Sequence, residues 1–384
     1  MPNFYQIQLI YSFENPLSIP IFTTYLNIDN MRFIKMFKCV IALLFAVSTG
    51  VFAQTDTVKI NMANPEQEAE KFYNQGIEAF AARNYNGAIE NYDKAIELKP
   101  DFDKAWFNRG IAKNEKRDFQ GAIADYNKYI EMHPQMDNGY FNRAQTAYTM
   151  GNKDAALEDY KKANTLNPSN EKSHYYAGGI LLEKGEYKMA IDEFNKALII
   201  NDGYAYAYND RGSAKKQLND YDGAIADYKK SIAADGKLTF VHNNLGTALK
   251  NKGDFKGAIA SYSKAIELKP DYVIAINNRG SAKHDNGDFK GAIEDFKTAI
   301  KLNSKYTYAY NNLASSHIKL KEYAEAVKAC DQAIQIESNY GYAYLNRGIA
   351  KEMLRDEKGA CEDWKKANSL GVKAAQNYVN TVCN

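Results

Sequence analysis

The chain has 384 residues, with 49 Lys and Arg against 47 Asp and Glu and a formal net charge of +2. Charge this evenly balanced argues against a nucleic-acid footprint, which needs a basic face. Acids and bases mix along each helix-length stretch and read as solvated surface.

In chain order, residues 1–30 read as an upstream extension, the true start being Met31 or Met36. They stand in front of a segment with the grammar of a secretory signal, residues 31–53. Arg32, Lys35 and Lys38 are its basic start, Val40 to Val47 its apolar core, and Val51-Phe52-Ala53 a small-residue cleavage site before Gln54. The apolar stretch is short for a bilayer span, so an uncleaved anchor is the lesser alternative. No cysteine follows the core, which argues against a lipoprotein. The expectation is an exported chain, periplasmic or extracellular, with no stable membrane span after cleavage. Residues 54–68 are then a linker and helix start, with Asn64-Pro65-Glu66 supplying an N-cap, a helix-start proline and an acidic first turn.

Residues 69–374 follow a period of 34. Ala88, Ala122, Ala156, Ala190, Ala224, Ala258, Ala292, Ala326 and Ala360 recur without a slip. A fixed period of this length marks a stacked repeat. Numbering each repeat 1 to 34 from Ala69, position 4 is mostly aromatic (Trp106, Tyr140, Tyr208), position 8 is Gly or Ala (Gly76, Gly110, Ala144), and position 24 is mostly aromatic (Tyr92, Tyr126, Tyr160). Spacings of three, four and seven place such residues on one helical stripe. Gly151, Gly185, Gly253 and Gly287 at position 15 suit a left-handed helix end. Asn84, Asp118, Asn152, Asp220, Asp254, Asp288 and Asp356 at position 16 suit the N-cap of a second helix. Each repeat therefore reads as helix, tight turn, helix. Residues 375–384 read as a C-terminal cap.

On this in-phase aromatic–Gly–Ala–aromatic–Ala–Pro pattern the chain resembles the tetratricopeptide repeat family over nine repeats. The resemblance implies an all-α, right-handed superhelical α-solenoid whose first helices line a concave groove. Pentatricopeptide RNA readers have a period of 35 and do not fit.

No phosphate-binding glycine loop or paired histidine ligands occur. The expectation is therefore a non-enzyme without cofactor or metal. The groove is more informative. Position 6 is Asn74, Asn108, Asn142, Asn244, Asn278, Asn312 and Asn346, interrupted by Tyr176 and Asp210. Asparagine is a mediocre helix former, and its amide complements a peptide bond. A row of them can hold an extended chain, similar to the asparagine ladder of O-linked GlcNAc transferase. Bonding to a neighbouring repeat is the alternative. Position 5 is aromatic in the first four repeats (Tyr73, Phe107, Phe141, Tyr175) and asparagine in the next four (Asn209, Asn243, Asn277, Asn311). Exposed, these rings are side-chain anchors; packed between first helices, they are structural. No Lys/Arg set of the two-carboxylate-clamp type is present.

Arg109, Arg143, Arg211, Arg279 and Arg347 at position 7 co-occur with Asp125, Asp159, Asp227, Asp295 and Asp363 at position 23. They read as ion pairs between helices. Cys361 replaces the aliphatic residue of position 21 and should face the cap. Ten residues to Gly371 and twelve back to Cys383 bring the two cysteines to similar height in an antiparallel return. A disulfide is expected in an oxidising compartment, two unpaired thiols being the alternative. The leading function is a non-catalytic exported scaffold that binds an extended peptide or protein partner in its groove. The rivals are a structural subunit of an envelope complex using its convex face or ends, and a regulatory subunit of an enzyme complex. The partner and the oligomeric state are not encoded legibly.

Overall fold

The computed structural model describes residues 64–383, all within one compact unit that begins at Ala63. The upstream extension, the signal and most of the linker lie outside the described residues. So does Asn384.

Nineteen helices and no strands occur among the described residues. They run from α1 (Pro65–Ala81) and α2 (Tyr85–Leu98) to α17 (Gly341–Met353), α18 (Glu357–Ser369) and α19 (Lys373–Val382). Odd-numbered helices up to α17 are the first helices of nine repeats, and even-numbered ones are the second. From the second repeat on, each first helix begins at position 1 and each second helix at position 17. The cap helix starts at Lys373, two residues before the expected boundary.

Local chemistry accounts for the boundaries. Asn64 accepts a hydrogen bond from Glu66 N and caps α1. Position 15 adopts a left-handed backbone in all nine repeats. Gly151, Gly185, Gly253 and Gly287 fill it without strain; Arg83, Arg117, Asn219, Lys321 and Arg355 adopt it at some cost. Position 16 then caps the second helix. Asn84, Asp118, Asp220, Asp254, Asp288 and Asp356 each accept from the backbone N–H three residues on, and in all six that residue is glycine. Asn152 has no such bond, and Ala155 stands three residues after it.

The core is a column of small-against-large contacts. A Cβ on Gly246 would lie 2.7 Å from a ring carbon of Tyr262, and Gly110 and Gly280 face Tyr126 and Phe296 in the same way. Position 8 is small because the position-24 ring occupies its space. The position-20 alanines and position-24 rings are almost wholly buried. Burial of this kind is the main source of a repeat's stability.

The five arginine–aspartate pairs all form. Nε and Nη2 of each arginine donate side-on to the two carboxylate oxygens at 2.6–2.9 Å. The third nitrogen, Nη1, crosses to position 25 of the preceding repeat: Asp93, Asn127, Asn195, Ser263 or Asp331. One guanidinium thus ties two second helices to one first helix. Its bond to Asp159 is the main cause raising the Arg143 pKa. In four of the five repeats a lysine at position 11 adds a second cation to the aspartate, as Lys215 does to Asp227 at 2.8 Å.

At the C-terminal end, α19 packs on α18. Ala375 is buried, and the Tyr378 ring stacks on Trp364 at 4.7 Å. Val382, near the end of α19, is 39 % exposed. Cys361 and Cys383 are joined, with Cα atoms 5.4 Å apart. Cys330 is a buried free thiol, and burial pushes it well above the ordinary thiol range.

Candidate functional site

First helices of successive repeats touch one another from the fourth repeat to the ninth, whereas no two second helices pack to that extent. The first-helix row is therefore the inner wall of the stack, and residues four and seven apart on it form stripes running across repeats.

The position-6 asparagines occupy one register on this wall, but not as free amides. In four consecutive repeats each donates one Nδ2–H to the Oδ1 of the position-5 asparagine in the repeat before. Asn244 donates to Asn209, Asn278 to Asn243, Asn312 to Asn277 and Asn346 to Asn311, at 2.9–3.1 Å. The acceptors Asn209, Asn243 and Asn277 are buried, while the donors are half-buried. The inner amide therefore fixes the rotamer of the outer one. One N–H and one carbonyl oxygen of each outer amide are left for the groove, because an asparagine side chain has two donors and one double acceptor.

Towards the N-terminal end the row loses this form. Asn108 donates to the Tyr73 hydroxyl at 2.9 Å, Asn142 bonds back to the Asn138 carbonyl, and Asn74 is exposed. Tyr176 stacks on Tyr160. Asp210 accepts from the Tyr175 hydroxyl at 2.8 Å and from Asn209 at 2.9 Å. Burial is the main cause raising its carboxyl to a pKa of about 6, and these two hydrogen bonds oppose the shift.

The position-5 rings require a correction. Tyr73 packs against Phe102 and Tyr92, Phe107 against Tyr129 and Tyr126, Phe141 against Tyr160 and Tyr176, and Tyr175 against Tyr204 and Phe194. They are half-buried and pack mainly on the second-helix and position-34 rings of their own repeat, rather than lining an open apolar groove. Position 5 still reaches position 6 of the next repeat, through the hydroxyls of Tyr73 and Tyr175, the ring of Phe141 and the amides of repeats 5–8.

A more open apolar row lies instead at position 2, which sequence reasoning passed over; Tyr206 and Tyr342 are exposed and Phe240, Ile274 and Tyr308 half-buried. It is Glu70, Lys104, Asn138 and Lys172 in the first four repeats, then Tyr206, Phe240, Ile274, Tyr308 and Tyr342. Tyr206 and Tyr342 are 41 % and 44 % exposed, and the rings of Tyr206 and Phe240 stack at 6.0 Å. The signal was available: position 2 precedes position 6 by one helical turn and changes character at the same repeat as position 5.

Among the described residues, no group of three or more His, Cys, Asp or Glu side chains is placed to hold a metal, and no helix is long and apolar enough to cross a membrane.

Family models described as tetratricopeptide repeat match residues 73–137, 141–206, 205–237 and 307–340. A model described as TPR repeat matches 246–287 and 280–321. The chain belongs to the tetratricopeptide repeat family. Among curated proteins none matches it in sequence. Solved structures similar to it include MamA, 26% identical over 42% of this chain and 95% of that one, with a TM-score of 0.41. A tetratricopeptide repeat protein from Parabacteroides merdae is 19% identical over 65% of this chain and 99% of that one, at 0.48. YrrB, described as a TPR protein with an unusual peptide-binding site, is 24% identical over 48% and 95%, at 0.44.

Proposed function

We propose that this tetratricopeptide chain is a non-catalytic, exported scaffold that holds an extended peptide or protein partner along its first-helix wall. The observation that carries the reading is the amide row from Asn244 to Asn346. Each outer amide is oriented by an inner one and keeps a donor and an acceptor for a passing peptide bond. Preorganised polar groups bind with less loss of side-chain freedom than mobile ones. Export rests on residues 31–53 and on the Cys361–Cys383 pairing, which an oxidising compartment favours.

A rival surface has its own observation. Ile199, on a second helix, is 84 % exposed, which favours use of the outer face by a structural subunit. Affinity capture from the envelope fraction distinguishes the two. The full chain, an Asn244→Ala/Asn278→Ala/Asn312→Ala variant and an Ile199→Lys variant are used in parallel. A partner kept by Ile199→Lys and lost by the triple variant supports the groove; the reverse pattern supports the outer face. Each alanine strands the buried Oδ1 of its inner partner, at about 1–3 kcal/mol. The triple variant is therefore compared well below its own melting temperature.

A further inference from the structure

The groove differs along its length. Repeats 6–9 combine the oriented amides with an apolar side chain one turn away, and repeat 5 continues the apolar row with Tyr206 while supplying the inner amide Asn209 to Asn244. Repeat 5 adds a third feature, Lys216 at position 12.

Position 12 reaches the next first helix in several repeats. Tyr148 donates to Glu183, Lys250 bonds Ser281 and pairs with Asp285, and His284 meets Ser316. Lys216 in the same register has no ion-pair or hydrogen-bond partner for its ammonium among the described residues. Where Lys250 faces Asp285, the residue 35 positions on from Lys216 is Asn251. Lys216 is half-buried, and desolvation lowers its pKa. A half-buried ammonium without a counter-charge is a place for a carboxylate from elsewhere. Asp210, six residues before Lys216 on the same helix, is held by Tyr175 of the preceding repeat and by its own neighbour Asn209.

The three features form parallel tracks. Along a helix rising about 1.5 Å per residue, the rings lie about 6 Å to one side of the amides and Lys216 about 9 Å to the other. An extended chain lying on the amides sends successive side chains to opposite sides, and alternate ones recur about every 6.6–6.8 Å. The rings of Tyr206 and Phe240 are 6.0 Å apart, close to that repeat.

We propose that repeats 5 and 6 seat an extended polypeptide segment of the form apolar–acidic–apolar, its apolar side chains on Tyr206 and Phe240 and its acidic side chain on Lys216. This rests on the groove reading above and adds a sequence requirement to it.

The probe is a random 12-residue peptide library displayed and selected on the full chain. Enriched peptides are then measured by fluorescence anisotropy. The expected result is enrichment of the apolar–acidic–apolar pattern. Affinity should fall at least about tenfold with Lys216→Glu and less with Lys216→Gln. It should be regained by Lys216→Glu when the acidic residue of the peptide is changed to lysine. Tyr206→Ala should weaken the same peptides, and circular dichroism confirms that each variant is folded. Enriched peptides that lack the pattern, or that ignore Lys216→Glu, overturn the inference. If they are still lost in the triple asparagine variant, the groove reading stands without it. No enrichment, or retention of soluble polysaccharide instead of peptide, overturns both.

Discussion

At Asp210 the position-6 row carries a carboxylate where seven other repeats carry an amide. Its pKa is raised, mainly by burial, to about 6, against roughly 3.9 in an unfolded chain. Between those values the folded state binds more protons than the unfolded one. The stability this group contributes is therefore complete below about pH 4 and lost as pH rises through 6. Asp210→Asn would copy the Asn108–Tyr73 bond of repeat 2. It should raise stability at pH 7 by about 1–2 kcal/mol and flatten the dependence of Tm on pH between 4 and 6. Melting curves for both proteins from pH 4 to 8 check this; parallel curves would contradict it. The arginine–aspartate pairs make the opposite case, a carboxylate supplied with cations. Asp227 is 3 % exposed and is held by Arg211 and Lys215. Asp227→Ala leaves two half-buried cations without their counter-charge and should cost about 3–5 kcal/mol. Arg211→Leu should cost less, because Lys215 remains. The double variant should cost clearly less than the sum, and a strictly additive cycle would show that the residues do not interact. The pairing was legible from covariation of positions 7 and 23 within one chain. The third contact, to position 25 of the preceding repeat, was not, because that site varies among Asp, Asn and Ser.

Helix boundaries follow from cap and turn chemistry repeated in register, so they were readable to within a residue or two. What escaped was the glycine three residues after each effective cap. A Cβ at Gly257 would come within 2.3 Å of the Asp254 carboxylate, which is why cap and glycine occur together. The cap helix α19 shows how one element depends on a covalent tie. It has ten residues, too few to be stable alone, and it is fixed by Tyr378 on Trp364 and by Cys383 on Cys361. Non-reducing peptide mapping of the protein as purified from its native cells should yield a single Cys361–Cys383 link. Reduction should speed hydrogen exchange in residues 373–382 while leaving the central repeats protected, because a repeat contacts only its neighbours. Quantitative thiol labelling at both cysteines would contradict the link.

For the molecule as a whole, export is a proposal with a direct readout: N-terminal sequencing of the secreted chain should begin at or near Gln54, and a cytosolic chain retaining Met1 would overturn it. The stack itself was set by sequence alone. A 34-residue period, small residues at positions 8 and 20 and rings at position 24 admit one packing, since each repeat can bury its apolar stripe only against the next. Sequence also placed the asparagine row on a common register. The direction of those side chains was decided by tertiary structure. Whether Asn278 offers its whole amide to a ligand or donates half of it to Asn243 depends on how close successive first helices come, and that distance is set by packing at other positions. For the same reason the rings of Tyr73 and Phe107 turned out to be packed against neighbouring rings, while Tyr206 and Tyr342, one turn from the amides, stayed open. Periodicity fixes which residues share a stripe; only the packed stack determines which stripes remain uncovered.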